Sequence, residues 1–386
     1  MKINQTVNFG KIFGMTIGMS MGLLTLTACQ QNATQATDAD ENASTASVAT
    51  ATQSTNNADK INVYTSTNVW GSILKNVGGE HVNVIVAVND ASQDPHDYQA
   101  TAQDKLNISQ AKLVLVNGGG YDDWATSLAK SVEHQPVIIN AVDLSGLKPA
   151  NADKHEHEHD HQDEHDDHDH AGHQHHHGEF NEHVFFSLDT AKKVAEAVAN
   201  QLAQTDPSHQ SSYEQNAKDF IGQLNQLQAT AQTIGKNKTL SAFATESVIG
   251  YLLNDMGIKN ATPPDYIKQS ETDAGVSVKI LDDSKNLLKN KQVSVLIVNA
   301  QTEDATAKQL VEIAKQAGLP TVSVNETFPT GVDNYVDFMQ KTIDDFAKAV
   351  NMPTTAVAST APTIEHRHDN HEHEHGEHNH EHDHKH

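Results

Sequence analysis

Most of the chemistry-bearing side chains in this 386-residue chain are histidines and carboxylates, and 21 of its 26 histidines stand in two acidic tracts. The first lies between Asn151 and Glu182 and holds eleven histidines interleaved with eleven acids; it includes His155, His157, His159 and His161, then His173, His175, His176 and His177. The second runs from His366 to His386 and adds ten more. Imidazole suits zinc, copper and nickel, whereas carboxylate and water suit magnesium, calcium and manganese. A mixed run dominated by histidine therefore points to zinc or its neighbours, gathered at weak auxiliary sites. An affinity tag would be an uninterrupted histidine string; the tail instead alternates with Glu, Asp and Asn as the internal tract does, and so reads as natural. Neither tract carries the apolar residues that a core needs, and both are expected to be disordered.

A tight site must come from elsewhere. In open α/β sheets, ligands sit outside the carboxyl ends of the strands, so His, Asp and Glu just after each expected strand are the candidates. Four positions qualify. His96 follows the second strand in Asp94-Pro95-His96-Asp97-Tyr98, where Pro95 restricts the backbone. His183 stands where low complexity gives way to Val184-Phe185-Phe186. Glu246 follows the strand ending at Ala244 and is expected in the first turn of a helix. Glu326 follows the strand ending at Val324. Two neutral imidazoles and two carboxylates neutralise a dication and form a four-ligand set that zinc accepts.

The elements that must position these residues alternate between strand and helix from Lys60 onward, the pattern of an α/β fold with mostly parallel sheets. Strands are expected at 61–67, 82–88, 113–117 and 137–140, with helices at 69–77, 101–111 and 122–132 between them. Thr101 with Asp104 three residues on reads as a capping box. Gly118-Gly119-Gly120 lacks the spacing of either phosphate-binding loop and reads as a turn. Leu188, Ala191, Ala195, Val198 and Leu202 mark a helix that stops before Asp206-Pro207. Tyr213, Ala217, Phe220, Leu224, Leu227, Ala231 and Ile234 then step by 4 and 3, predicting one helix of roughly 28 residues that serves as a rigid strut. A second alternating unit follows, with strands at 240–244, 293–299 and 321–324 and helices at 247–256, 278–288, 304–317 and 332–350. The expectation is two small α/β sandwich lobes joined by one long rigid helix: residues 59–206 as the N-terminal lobe with a His-rich loop at 151–182, 207–235 as the connecting helix, and 236–352 as the C-terminal lobe. Residues 353–386 form the tail.

Composition excludes one class and suggests an address. The formal charge is −25, of which the two tracts supply −10 and −5 and the remainder −10; Arg367 is the lone arginine. An acidic chain without a basic stripe is a poor nucleic-acid binder, whereas its field attracts cations. Residues 1–28 carry Lys2 and Lys11, then an apolar stretch to Leu26, then Leu26-Thr27-Ala28-Cys29. This reads as a lipoprotein signal peptide, with Cys29 acylated; the apolar run is shorter than the ~20 residues of a spanning helix. Cys29 is the chain's single cysteine, so no disulfide is expected and an internal metal site must be built from His, Asp and Glu. Residues 29–58, rich in Ala, Thr, Gln, Asn and Ser, read as a flexible tether.

The residues around the candidate ligands resemble a known family. Asp94-Pro95-His96-Asp97-Tyr98 with Thr101 and Asp104, Asn117-Gly118 followed by Tyr121-Asp122-Asp123-Trp124, and Glu182-His183-Val184 followed by Leu188-Asp189 are similar to segments of the solute-binding lipoproteins of bacterial zinc or manganese ABC importers. Glu246 with Gly250-Tyr251-Leu252, and Glu326 in Val324-Asn325-Glu326-Thr327, fall on that family's third and fourth ligand positions. The resemblance spans about residues 59–350. It implies two metal-binding lobes, a monomer, an extracytoplasmic location on a membrane lipid, an ABC permease as partner, and His96, His183, Glu246 and Glu326 as ligands. Its zinc-specific members carry a histidine loop before the second ligand. Glu246 and Glu326 make the pocket harder and favour manganese or iron, while the tracts favour zinc; zinc is the expected cargo because it binds most nitrogen and oxygen sites more tightly than manganese.

Two other classes compete with a high-affinity zinc receptor. A secreted zinc hydrolase would need an open position for water, and the chain has neither a spare position among four ligands nor a His-Glu-x-x-His segment; no enzyme is expected. A surface zinc buffer or adhesin would put the function in the tracts and make the lobes a scaffold.

Overall fold

A computed structural model describes residues 60–147 and 180–357, with the exception of Glu271 and Asp273. The expected signal peptide, Cys29, the tether, the internal histidines from His155 to His177 and the tail from His366 lie outside the described residues.

The N-terminal half alternates as expected: β1 (Ile61–Thr67), α1 (Asn68–Gly78), β2 (Val82–Val88), α2 (Ala102–Gln110), β3 (Leu113–Val116), α3 (Asp123–Ser131), β4 (Val137–Asn140) and α4 (Ala141–Ser145). Its four strands are all parallel in the order β2-β1-β3-β4, with Val63 opposite Val84 and Leu113, and Leu115 opposite Ile139. A parallel sheet covered on both faces needs apolar residues at successive positions, and β3, Leu-Val-Leu-Val, is buried throughout. Side chains alternate between the faces: Val63, Leu113 and Leu115 join the main core, while Tyr64, Val114 and Val116 pack with Ile108, Ala125 and Ala129 on the other side.

Two helices then link the halves, α5 (Leu188–Thr205) and α6 (Gln210–Ile234). The long helix is shorter than expected. Pro207 opens a separate 3-10 turn ending at His209, with the Asp206 side chain accepting from the Ser208 N–H, and α6 begins only afterwards. Its 25 residues span about 37 Å. The seven stepped residues are all buried, against α1 and α5 on one side and α7 (Gly250–Asp255) and α11 (Tyr335–Ala349) on the other.

The C-terminal half continues with β5 (Ser241–Ala244), α7, β6 (Lys259–Asn260), α8 (Pro264–Ser270), α9 (Val278–Lys289), β7 (Val295–Asn299), α10 (Ala305–Ala317), β8 (Thr321–Val324) and α11. Its sheet is again all parallel, in the order β6-β5-β7-β8. The sequence gives no warning of β6, because its two residues are exposed and carry no apolar pattern. One core cluster runs through both halves, from Val63 and Leu113 through Leu224 and Leu227 to Ala242 and Val295. The lobes are therefore welded along α6 by shared apolar burial, with the second sheet's far face closed by Phe243, Tyr266, Leu288 and Leu310.

Candidate metal centre

Both candidate histidines are aimed by the same local device. Asp94 Oδ1 accepts from the His96 backbone N–H at 2.8 Å, and Asn181 Oδ1 accepts from the His183 N–H at 3.0 Å. In each case a side-chain oxygen two residues upstream closes a turn that projects the imidazole. The first loop is anchored further by Asp104. It completes the expected capping box with Thr101 and accepts from the hydroxyls of Tyr64 on β1 at 2.7 Å and Tyr98 beside His96 at 2.8 Å. The turn after β3 is pinned by Asp122, which accepts from the Asn117 and Gly118 N–H groups at 2.7 and 2.8 Å and from the Ser66 hydroxyl at 2.5 Å. Gly118 has φ of 79°, and a Cβ there would run into the Asn140 side chain, so glycine is required. Asn117 in turn donates to the Glu182 carbonyl at 2.8 Å, which ties the His183 segment to the end of β3.

His183 has its tautomer set by Asn181, whose Oδ1 lies 2.9 Å from Nδ1. An amide oxygen there requires Nδ1–H and leaves Nε2 as the ligating nitrogen. Asn181 also reaches the second lobe, donating to the Ser247 carbonyl at 2.7 Å, while its own carbonyl accepts from Tyr251 at 2.5 Å.

The structure brings three of the four expected residues together. His96 Nε2 lies 3.2 Å and His183 Nε2 3.4 Å from Glu326 Oε2, and the three donor atoms fall within 4.8 Å of one another. The Glu326 side chain is 1% exposed. Glu246 stands outside this group. It occupies a bend after β5 rather than the first turn of a helix, since α7 starts only at Gly250. Its carboxylate accepts from the Thr302 hydroxyl and, at 2.8 Å, from Asn299 Nδ2, which also donates to Glu326 Oε1 at 2.8 Å. Glu246 thus joins the cluster through one shared amide. Glu326 is placed by its own N–H, which donates to Gln301 Oε1 at 2.6 Å.

Electrostatically the cluster demands a cation. Burial opposes charge on His96, but hydrogen bonding and attraction from Glu326 outweigh it and raise its pKa to about 9. Burial and Glu326 act in the same opposed way on His183, whose pKa also rises. Glu326 is desolvated, yet the two imidazoles hold its carboxyl well below the usual range. Two nitrogen lone pairs facing one carboxylate oxygen repel unless a proton or a metal ion stands between them. Desolvation raises the Glu246 carboxyl, only partly countered by Thr302 and Asn299. Asn181, Asn299 and Tyr121 escape a search confined to metal-ligating residue types. The repeated acceptor two residues before each histidine, Asp94 and Asn181, is a signal that was legible in the sequence.

Two all-parallel α/β lobes around two imidazoles and a buried carboxylate define a metal-binding solute receptor of the ABC-importer class. The chain belongs to the family described as zinc-uptake complex component A, periplasmic, whose model matches residues 63–349. It is 27% identical over 295 residues to the high-affinity zinc uptake system protein ZnuA of Bacillus subtilis, covering 74% of this chain and 86% of that protein. It is 24% identical over 308 residues to the manganese ABC transporter substrate-binding lipoprotein PsaA of Streptococcus anginosus, covering 76% and 90%. Among solved structures, the solute-binding protein FpvC of Pseudomonas aeruginosa in complex with Mn2+ superimposes with a TM-score of 0.58 at 19% identity, over 76% of this chain and 98% of FpvC. That likeness bears on the fold. The expected family and the two-lobed α/β fold are both borne out, and the family is one of transport receptors rather than enzymes.

Proposed function

We propose that this chain is a zinc receptor that captures the ion between His96, His183 and Glu326 and hands it to an ABC permease. The observation that carries this reading is the convergence of two imidazole Nε2 atoms on one buried carboxylate oxygen. Two nitrogen donors suit zinc better than manganese, and 21 histidines in the tracts have no use for manganese. Glu246 supplies a second negative charge through Asn299, so that the pocket as a whole neutralises a dication. The internal tract rejoins the described chain at Phe180, three residues before His183, and is proposed as a weak store feeding the site. Residues 1–28 are proposed as a lipoprotein signal peptide, Cys29 as the acylated anchor and 29–58 as the tether of an extracytoplasmic, monomeric receptor. Among the described residues, no helix is long and apolar enough to cross a membrane.

Native mass spectrometry tests the reading on the full chain and on a variant lacking residues 1–58, 151–180 and 364–386. The variant is expected to retain one tightly held zinc ion while the full chain takes up several. A variant that holds no metal would place the function in the tracts, as a buffer. A manganese receptor is the second reading, favoured by the paired carboxylates Glu246 and Glu326; a site that takes manganese in preference to zinc under competition would establish it.

A further inference from the structure

Tyr121 belongs to none of the expected ligand positions, yet it sits at the centre of the site. Its ring packs edge-on against His96 at 4.6 Å between centroids, Phe185 at 5.7 Å and His183 at 5.8 Å. The residue is 2% exposed, and its hydroxyl has no hydrogen-bond partner. A buried hydroxyl left in this way costs about 1–3 kcal/mol and calls for an explanation. Glu326 Oε2 is buried and faces the two imidazole nitrogens at 3.2 and 3.4 Å, while Glu326 Oε1 is taken by Asn299.

We propose that Tyr121 is a specificity-determining positioning residue: on metal capture its hydroxyl donates to Glu326 Oε2, confines that carboxylate to one metal bond and closes the N-lobe side of the pocket to water. With Asn299 on Oε1 and Tyr121 on Oε2, one lone pair of each Glu326 oxygen is taken, which disfavours bidentate binding of the ion. The coordination number stays low, which zinc accepts and manganese, a seeker of several oxygen donors, does not. This inference rests on the metal-receptor reading. It adds the device by which the pocket rejects a harder cation.

The test is Tyr121→Phe in the full chain, which preserves the ring packing and removes only the hydroxyl. Cobalt(II) serves as a spectroscopic probe, and zinc and manganese affinities come from competition titrations. The wild-type protein is expected to give the intense visible absorption of low-coordinate cobalt, and the variant the weak absorption of a five- or six-coordinate ion. Zinc affinity should fall about tenfold or more, as is usual when an outer partner is lost, while manganese affinity holds or rises. The metal-free variant should melt at or above the wild-type temperature, because the hydroxyl is unpartnered there. A variant with the wild-type cobalt spectrum and zinc-to-manganese ratio overturns the proposal, as does an equal loss of both metals, which would mark a packing role. Tyr121→Met, of similar length and also without a donor, must repeat the result. If the wild-type chain itself binds neither metal tightly, the receptor reading fails and takes this one with it; failure of the variants alone leaves that reading intact.

Discussion

Glu246 and Glu326 accept hydrogen bonds from one amide group, Nδ2 of Asn299, each at 2.8 Å. A neutral donor between two carboxylates lets both stay in the pocket without direct opposition, and it ranks them. Glu326 reaches the imidazoles, while Glu246 is drawn back by Asn299 and Thr302.

This ranking separates the two glutamates in experiment. Glu326→Ala should abolish tight zinc binding, since it removes the oxygen that both histidines face. Glu246→Ala should cost about 10–100-fold, the range for losing an outer partner, and Glu246→His should leave zinc binding largely intact while lowering manganese binding. Competition titrations check the order. If Glu246→Ala is as severe as Glu326→Ala, Glu246 moves onto the ion when it binds.

The pKa shifts fix the pH dependence. At neutral pH the metal-free cluster holds a proton on His96, raised to about 9, while His183 is also raised, so capture must expel the His96 proton. Zinc affinity should therefore climb with pH and level off above about 9. Calorimetry in buffers of different ionisation enthalpy should register proton release at pH 7, and its absence would mean that the imidazoles are neutral beforehand.

Stability of the metal-free protein should run the other way at high pH. The histidine contribution is present in full below the unfolded value of 6.5 and is lost as pH rises through about 9. The Glu326 contribution is present above its unfolded value of 4.5 and is lost as pH falls through its depressed folded value. Melting temperatures of the metal-free chain should accordingly be highest between these limits, and the alkaline loss should shrink in His96→Gln.

Asn181→Ala frees His183 Nδ1 and cuts the tie to Ser247. A zinc affinity about 10–100-fold weaker is expected, with the His183 tautomer no longer fixed in nitrogen NMR spectra. A single unchanged tautomer would show that packing alone orients the ring.

Asp104→Ala removes the acceptor of two tyrosine hydroxyls and the capping box of α2. The loss should be about 2–4 kcal/mol, from the cap and from hydroxyls left without a partner, read by urea denaturation of the metal-free protein. Zinc affinity should fall less than in Glu326→Ala, because the effect reaches His96 only through its loop.

The amino-acid sequence by itself determined the two alternating units, the Thr101–Asp104 cap, the buried face of α6 and the placing of His96, His183 and Glu326 after strands, because periodicity, capping and strand-end position are local properties. It overextended α6 across Pro207 and passed over β6, where two exposed residues leave no pattern. Only the tertiary structure decided which carboxylate meets the imidazoles. Glu246 and Glu326 look alike in the chain, and what separates them is Asn299, 53 residues from one and 27 from the other. Tyr121 and Asn181 come by their neighbours in the same way, through folding alone: the His96 and His183 rings for one and Ser247 in the opposite lobe for the other. A hydrogen bond between side chains so far apart in sequence leaves no trace in spacing, because its geometry is set by the packing of two sheets on a shared helix.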